Sequence, residues 1–344
     1  MDIAEFDYEL PPELIAQEPL PERDASRLLV LDRRSGETWH RSFRDLPALL
    51  APGDLLVVNR SRVIPARLLG RRARGGEAEI LLLRDRGEGR WEAMVRPGRH
   101  LRPGQRVTID EDLSVVVESE ALGQDGRRRV RLLSRRRDID GAVERVGHTP
   151  LPPYIRRADR PADRERYQTV YARESGSVAA PTAGLHFTVP LLARLAARGV
   201  ERAEVVLHVG PGTFQPVKAA RVEDHRVAPE PYAVPPETAA AMERARAGGG
   251  RIVAAGTTTV RTLESAARPD GRVTAGEGET GLVIVPGHRF RAVDALLTNF
   301  HLPRSSLLLL VAAFAGREAV LRAYAEAVRE RYRFYSYGDA MLIL

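Results

Sequence analysis

Small residues surround a histidine in the segment Ala179–Thr188. Thr182 and Gly184 precede His186 there, and their small side chains would let a ligand approach the backbone closely. An imidazole in such a wall can accept or donate a proton near neutral pH. The alternative is a core histidine whose hydrogen bonds are satisfied by its neighbours, and the segment alone leaves both interpretations open.

A second histidine follows an asparagine shortly before a proline. Asn299 and His301 are two residues apart, so their side chains lie on the same side if the chain is extended there. Both could then face one cavity. The alternative is a polar turn that enters the apolar segment Leu307–Phe314, with Ser305 or Ser306 as the helix cap.

A glycine followed by three threonines marks a candidate anion site. The chain runs from a predicted strand, Arg251–Ala255, through Gly256–Thr259 into a predicted helix, Val260–Ala267. Free backbone N–H groups and the positive end of the helix dipole would meet at this point and favour an anionic group. Arg261 and Glu264 would share a helix face and could bind each other or a ligand. In the alternative interpretation, the threonines only cap the helix.

Several kinds of catalytic chemistry are excluded or unsupported. The chain contains no cysteine, which excludes disulfides, thiolate nucleophiles and cysteine-based metal sites. Its eight histidines are dispersed without an HExxH pair or a similar ligand spacing, so we predict no metal site. A serine hydrolase is unsupported because the GxSxG sequence is absent. Any catalysis is expected to use oxygen and nitrogen side chains.

The composition is typical of a globular chain with about two domains. Of its 344 residues, 43% are hydrophobic and 29% are charged. The longest apolar run, Leu307–Ala315, is about half the length that a membrane span needs, and the acidic N-terminus does not resemble a signal peptide. We therefore expect a cytoplasmic protein.

The charge is weak evidence about the partner. A formal net charge of +7 would suit a polyanion, because cationic side chains displace counterions from phosphates. Lys218 is the only lysine, however, and the abundance of arginine, alanine and glycine suggests a GC-rich coding bias. The distribution is more informative: six arginines and no acidic residue lie between Leu55 and Gly76. This segment favours either a basic face or a solvated strand edge.

Short β-type runs separated by turns fill the middle of the chain, at spacings typical of a small barrel. On both sides the pattern changes to alternating strands and helices, which indicates an α/β layer around a buried sheet. We predict the α/β fold class, with a discontinuous α/β catalytic domain (residues 1–66 and 148–344) and an inserted all-β, barrel-like domain (residues 67–147). The predicted barrel strands are Ala78–Leu83, Trp91–Val95, Arg106–Ile109, Leu113–Val117 and Arg129–Leu133.

Three further elements are predicted in the α/β part. Ala203–His208 has the apolar and β-branched composition of a strand. Pro236–Ala247 and Arg317–Arg331 have the periodicity of amphipathic helices. The second of these helices would end the fold before a final segment, Phe334–Leu344.

Several long and unusual strings resemble the S-adenosylmethionine:tRNA ribosyltransferase-isomerase family of queuosine biosynthesis. The resemblance spans nearly the whole chain and rests on Phe6–Pro11, Arg23–Leu28, Val63–Leu68, Gly147–Ile155, Tyr167–Tyr171, Ala179–Thr188, Gly212–Val217, Gly256–Glu264, Thr298–Pro303 and Tyr332–Ile343. Two positions depart from the usual pattern. Asn59-Arg60-Ser61-Arg62 replaces a string of the Asn-Asp-Thr-Arg type, and Val227-Ala228 stands where a Met-His pair is usual.

The resemblance implies an enzyme that uses S-adenosylmethionine as a ribosyl donor. It would transfer and isomerise the ribosyl group onto the 7-aminomethyl-7-deazaguanine base at the wobble position of tRNA, giving epoxyqueuosine and releasing adenine and methionine. The implied partners are tRNA and S-adenosylmethionine, without a metal or a membrane, and we expect a monomer. A sulfonium acidifies the adjacent carbon, so imidazoles and carboxylates suffice for this chemistry.

Roles follow from the resemblance and the residue types together. His186 and His301 are predicted to act as acid, base or adenosine-contacting groups, with Asn299 orienting them. The predicted substrate-binding residues are Thr182, Gly184, Gly212, Thr213, Thr257, Thr258, Arg261 and Glu264. Thr257, Thr258 and Arg261 would hold the methionine carboxylate or a tRNA phosphate. Arg62 and Arg67 are predicted to contact the RNA.

Two other classes of protein are alternatives. An S-adenosylmethionine-dependent RNA methyltransferase would need a glycine-rich loop after an early strand, and the N-terminal third has no such loop. A non-catalytic RNA-binding relative would use the barrel as its binding face, where stacking aromatic residues should alternate with basic ones. Trp91 is the only aromatic residue in the predicted barrel. Both alternatives are therefore less well supported.

Overall fold

The computed structural model describes residues 1–122, 126–210, 217 and 219–344. The strands are β1 (Arg27–Leu31), β2 (Thr38–Ser42), β3 (Leu55–Asn59), β4 (Ser61–Val63), β5 (Arg67–Arg72), β6 (Glu77–Asp85), β7 (Arg90–Arg96), β8 (Arg106–Thr108), β9 (Leu113–Val117), β10 (Arg128–Ser134), β11 (Glu174–Ser177), β12 (Glu201–Leu207), β13 (Glu230–Val234), β14 (Ile252–Ala255), β15 (Gly276–Thr280), β16 (Ala295–Asn299) and β17 (Ala340–Ile343). The α-helices are α1 (Leu46–Leu49), α2 (Ile139–Val146), α3 (Asp163–Arg166), α4 (Val189–Ala197), α5 (Pro236–Ala247), α6 (Thr257–Ala266), α7 (Ser306–Ala315) and α8 (Arg317–Arg329).

Nine strands form one mixed sheet in the order β15-β13-β12-β3-β14-β16-β17-β1-β2. Its centre is parallel: β12, β3, β14 and β16 all run in one direction. The flanking pairs β12–β13 and β16–β17 are antiparallel. Because parallel strands end on the same edge, the residues that follow β3, β12, β14 and β16 meet at one place.

The central strands are buried on both faces, which explains their continuous apolar sequences. In β3, Leu55 and Val57 belong to the core covered by α5 to α8. Leu56 and Val58 point the other way, into the core covered by α1 and α4. Each such side chain contributes about 1.5–3 kcal/mol when it is fully buried. The alternation holds the strand ends rigidly in the middle of the layers.

Most predicted elements of this part occur within one or two residues of their expected bounds. The predicted helix Pro236–Ala247 is confirmed as α5, and the predicted strands at 203–208 and 251–255 are confirmed as β12 and β14. Helix α8 ends at Arg329, two residues before the predicted end, since Arg331 has a φ of 55° that no α-helix allows. Ser305 caps α7 by accepting a hydrogen bond from the Leu308 amide.

Helix α6 begins at Thr257, three residues before the predicted start at Val260. Gly256 takes a φ of 94°, which turns the chain sharply out of β14. No side chain caps the helix; Thr259 instead donates to the Ala255 carbonyl at 2.8 Å. The interpretation that the threonines only cap the helix is therefore wrong, and they form its first turn.

Six antiparallel strands close a barrel in the order β10-β7-β6-β5-β8-β9. All five predicted barrel strands are present, and their inward side chains form a separate core. Strand β5 is an additional barrel strand within the arginine-rich segment, and α2 packs on the barrel through Ala142 and Val143. The fold class predicted from the sequence, an α/β sheet with an inserted barrel, is confirmed. The boundaries at residues 66/67 and 147/148 stay a prediction.

Within residues 1–122, 126–210, 217 and 219–344, no helix has both the length and the apolar content needed to span a lipid bilayer.

Candidate active site

Two adjoining cavities lie at the edge where the parallel strands end, and together they are called the inner pocket. Both are lined by Thr182, Asn299, His301 and Leu307. One lobe continues along Pro181, Val209, Thr257, Thr258 and Thr298 to the start of α6. The other, the aromatic lobe, continues along Tyr154, Phe300, Ser305, Tyr335 and Ser336. Asn299 and His301 therefore face one cavity, as their spacing predicts.

A chain of hydrogen bonds runs through His186, which binds the pocket residue Asn299 from behind the lining. Ser26 Oγ lies 2.8 Å from His186 Nδ1, and Asn299 Nδ2 lies 3.1 Å from His186 Nε2. Asn299 Nδ2 also donates to the Tyr335 carbonyl at 3.1 Å. Because an amide NH₂ can only donate, His186 Nε2 must be the unprotonated acceptor and Nδ1 must carry the hydrogen.

His186 is neutral at physiological pH. Its ring is buried, and burial, followed by the nearby charges of Arg333 and Arg23, lowers the pKa of His186 to about 3. Phe43 packs over the ring, with 5.0 Å between the ring centroids. With both ring nitrogens engaged, His186 is suited to hold Asn299 in one orientation.

The side-chain oxygen of Asn299 is left free by this arrangement. Asn299 is only 2% exposed, yet its Oδ1 has no hydrogen-bond partner among the described residues. Leaving a buried acceptor unpaired costs about 1–3 kcal/mol, so such atoms in native proteins usually bind a ligand or a water molecule. In the inner pocket, Asn299 Oδ1 can accept from an N–H or O–H group of a ligand.

Tyr335 offers a second buried and unpaired group in the aromatic lobe. Its hydroxyl has no partner among the described residues, and its ring packs on that of Tyr154 with centroids 4.4 Å apart. The Tyr335 backbone has a φ of 71°, which costs a non-glycine residue about 1 kcal/mol or more. Hydrogen bonds to Phe300, Gly338 and Asn299 hold it there.

His301 has one ring nitrogen bound and one free. Nε2 lies 2.7 Å from Thr298 Oγ1, whereas Nδ1 makes no hydrogen bond to the described residues. Burial alone lowers the pKa of His301 to about 3, so the ring is neutral. Tyr8 and Tyr324 fix the backbone of this residue by hydrogen bonds to its carbonyl and amide groups. His301 therefore presents a free Nδ1 to the pocket. In the tautomer that carries its hydrogen on Nε2, this nitrogen can accept a proton.

The start of α6 forms one wall of the inner pocket. Thr257 and Thr258 line it, and the first N–H groups of a helix have no partner within the helix. Asn59 secures this wall, because its amide donates to the Leu207 carbonyl at 3.0 Å and to Thr258 Oγ1 at 3.3 Å. Asn59 Oδ1 accepts in turn from the Ser61 and Leu207 amides. This point can accommodate an anionic group.

Thr182 and Gly184 lie on the 3₁₀-helix Thr182–His186, which carries His186 to Asn299. Thr182 lines both lobes of the inner pocket. A Cβ atom at Gly184 would lie 2.3 Å from the Tyr171 hydroxyl, so only glycine fits there. Gly184 acts by allowing close packing behind His186, and its predicted contact with substrate stays a prediction.

Arg261 and Glu264 lie on α6 but line neither lobe of the inner pocket. The Arg261 guanidinium binds Glu230 and the Leu282 and Thr280 carbonyl groups. Glu264 accepts from the Arg291 and Ala292 amides at about 3.0 Å. Through these hydrogen bonds, α6 is joined to β13 and to the chain between residues 280 and 292. Their predicted binding of substrate stays a prediction.

The two predicted RNA contacts lie at the surface beside the barrel. Arg62 is 3.4 Å from Glu144, and Arg67 is 3.2 Å from Glu79. The Arg62 pair is exposed and the Arg67 pair is half-buried. Exposed pairs contribute only about 0–1 kcal/mol, so Arg62 can exchange its partner for a phosphate. Gly212 and Thr213 lie outside the described residues, so their predicted role is untested as well.

Nearby carboxylates accommodate the departure at Arg60. Its guanidinium lies 3.8 Å from Glu174 and 3.7 Å from Glu204, at the end of β3. Arg173 also pairs with Glu204. Ala228, at the other departure, is exposed and lines neither lobe of the inner pocket.

The sequence analysis did not single out Ser26, Thr298 or Tyr335, which complete the network around the two histidines. Each of them lies within a string that carries the family resemblance, and that is the signal that could have identified them. Among the described residues, no group of three or more His, Cys, Asp or Glu side chains is arranged so that it could hold a metal ion.

The buried histidines make stability depend on pH. Each has a folded-state pKa of about 3 and an ordinary value of 6.5, so the unfolded chain binds protons first as the pH falls. The free energy of unfolding is therefore unaffected by these histidines above about pH 6.5 and decreases as the pH falls towards 3. At pH 5 the decrease is about 2 kcal/mol per histidine. Urea unfolding at pH 7 and pH 5 should therefore show a smaller pH effect in His301→Gln than in the wild type. An equal pH effect in the two proteins would contradict a buried neutral imidazole.

Comparison with known proteins identifies the family. A family model described as "Queuosine biosynthesis protein" matches residues 3–343. A protein named S-adenosylmethionine:tRNA ribosyltransferase-isomerase from Anaeromyxobacter sp. (strain Fw109-5) is 57% identical over 346 residues, covering 100% of this chain and 99% of the relative. A protein of the same name from Geobacter metallireducens is 54% identical, with both chains covered completely.

A solved structure supports the same relationship. The crystal structure of S-adenosylmethionine tRNA ribosyltransferase from Thermotoga maritima shares 46% sequence identity with this chain, with a TM-score of 0.56. The match covers 99% of this chain and 100% of the other. With the family model and the full-length relatives, it leads to one conclusion: the chain belongs to the S-adenosylmethionine:tRNA ribosyltransferase-isomerase family of queuosine biosynthesis proteins.

Proposed function

We propose that this chain transfers and isomerises the ribosyl group of S-adenosylmethionine onto 7-aminomethyl-7-deazaguanine at the wobble position of tRNA, releasing adenine and methionine. Family membership supplies the reaction. The observation in this chain that carries the proposal is the free Oδ1 of Asn299, held by a neutral His186 in the inner pocket. A buried, oriented acceptor is what a ligand with N–H or O–H groups requires.

The two lobes of the inner pocket suit the two ends of S-adenosylmethionine. The start of α6, with Thr257 and Thr258, offers free N–H groups and a positive dipole end to the methionine carboxylate. The aromatic lobe offers the paired rings of Tyr154 and Tyr335 to the purine. In this placement the sulfonium and the ribose lie between the lobes, beside Asn299 and His301.

His301 is the better of the two histidines for proton transfer. Its free Nδ1 can take the proton from the carbon next to the sulfonium, and the resulting imidazolium can return a proton to a ring nitrogen of the departing adenine. Thr298 Oγ1 stabilises either tautomer, because a hydroxyl can both donate and accept. His186 has no free nitrogen, so we assign it the positioning of Asn299.

The macromolecular partner and the cellular setting are part of the proposal. The partner is tRNA, which Arg62 and Arg67 are proposed to contact after leaving their carboxylate partners, Glu144 and Glu79. Because its substrates are tRNA and S-adenosylmethionine, we propose that the protein acts in the cytoplasm. The monomer expected from the sequence stays a prediction.

The reaction is tested by incubating the purified protein with S-adenosylmethionine and tRNA that carries the aminomethyl-deazaguanine base. We expect adenine release that depends on the modified tRNA, together with an epoxyqueuosine nucleoside in the digested product. Formation of S-adenosylhomocysteine would instead establish methyl transfer. Binding of tRNA without any turnover would mean that the chain is a non-catalytic relative.

The different roles of the two histidines predict different effects of one substitution. His301→Gln removes the proton acceptor and should lower kcat by about 10²–10⁴-fold. His186→Gln can still accept from Asn299 and donate to Ser26, so it should lower kcat by only about tenfold or less. Adenine release at saturating substrates measures both.

A matched control is His100→Gln, which changes an exposed histidine in the barrel and should leave turnover unchanged. Circular dichroism and melting curves establish that each variant is folded. If His301→Gln kept near-normal turnover while His186→Gln lost it, the two assignments would be reversed.

A further inference from the structure

A third cavity, here called the Arg23 pocket, is lined by His186, which lines neither lobe of the inner pocket. Arg23, Arg166, Ser26 and Ser336 also line it, among others. His186 lines this cavity and bonds to Asn299, which lines the inner pocket, and Ser336 lines both cavities. The His186–Asn299 pair therefore joins the Arg23 pocket to the inner pocket.

Arg23 and Arg166 bring two guanidinium groups from different segments to this pocket, and each binds carbonyl groups near the other. Arg23 donates to the Glu165 carbonyl at 2.8 Å and to the Leu185 carbonyl at 3.2 Å. Arg166 donates to the Leu20 carbonyl at 2.6 Å and to the Pro21 carbonyl at 2.9 Å. These four bonds use four of the ten N–H donors that two arginines carry. The remaining N–H groups can bind a further acceptor.

Neither positive charge is neutralised by an ion pair within the described residues. Both arginines bind only carbonyl oxygens, and Arg166 Nε is buried without a partner. Glu22, the carboxylate that lines the pocket, pairs with Arg44 instead. Burial and then the neighbouring charge of Arg166 lower the pKa of Arg23, although Glu165 opposes this effect. Two adjacent guanidinium groups without an ion-pair partner among the described residues favour an anion between them.

We infer that the Arg23 pocket binds a backbone phosphate of the tRNA next to the target base. This inference rests on the proposed function. The inner pocket already offers a place for the methionine carboxylate, so the second anionic ligand of the reaction is the polynucleotide. Paired guanidinium groups fit phosphate oxygens well, because their N–H groups form a planar fork. The base would then reach the His186–Asn299 pair from the Arg23 pocket, and S-adenosylmethionine would reach it from the inner pocket.

Arg23→Gln and Arg166→Gln test the inference, because glutamine keeps a donor for a carbonyl group and removes the charge. The control is Arg246→Gln, since Arg246 also binds two carbonyl groups, those of Gly271 and Arg291, but lies outside the pocket. In direct binding without S-adenosylmethionine, each test variant should bind tRNA about tenfold more weakly than the control. The slope of log Kd against log salt should fall by about one. The KM for S-adenosylmethionine should not change.

A second measurement uses the wild-type protein and so does not depend on the folding of a variant. Anticodon stem–loops are prepared with one uncharged methylphosphonate linkage at each position around the wobble base. One linkage should weaken binding by about tenfold, and the loss should disappear in Arg23→Gln.

Two results would overturn the inference. One is tRNA affinity and salt dependence in both glutamine variants equal to those of Arg246→Gln, with no sensitive linkage in the wild type. The other is a rise in the KM for S-adenosylmethionine with tRNA binding unchanged, which would assign the pocket to the methionine carboxylate. A wild-type protein that fails to bind tRNA at all would refute the proposed function itself, so the two failures are distinguishable.

Discussion

The hydrogen bond between Asn299 and His186 is the contact on which the rest of the site depends. It joins the end of β16 to the 3₁₀-helix Thr182–His186, and it settles three properties at once. His186 must be neutral with its hydrogen on Nδ1, Asn299 must turn its oxygen away from the ring, and that oxygen must stay unpaired in a buried place. The fold holds this pair rigidly because both strand faces around it are packed.

In the proposed placement, the inner pocket receives a cationic substrate, and the chain has no cysteine thiol to offer it. Burial keeps both histidines neutral, so neither repels the sulfonium. Permanently charged side chains near the pocket, such as Arg261 and Glu230, form an ion pair with each other and do not line the pocket. Arg60, which departs from the usual family sequence, is likewise paired: Glu174 and Glu204 lie beside its positive charge at the end of β3. Binding groups in the pocket are therefore mostly neutral hydrogen-bonding atoms.

Local patterns predicted most of the fold. The spacing of Asn299 and His301 left two interpretations open, a shared cavity and a polar turn into a capped helix, and the structure shows both features. What could not be predicted is long-range. His186 and Asn299 are 113 positions apart, so no periodicity indicates that they touch. Strand β5 has a single buried side chain, Leu68, and becomes a strand through pairing with β6 and β8 rather than through its own composition. The positive φ of Tyr335 likewise depends on tertiary hydrogen bonds and has no sequence signal.

The central claim is that His186 is a neutral, Nδ1-protonated imidazole that positions Asn299. Nitrogen-15 NMR of histidine-labelled protein tests it most directly, with His186→Gln used to assign the signal. The account predicts that Nδ1 carries the hydrogen and Nε2 does not, and that the ring does not titrate between about pH 8 and pH 5. A ring that titrates near the ordinary pKa of 6.5, or that carries its hydrogen on Nε2, would contradict the account.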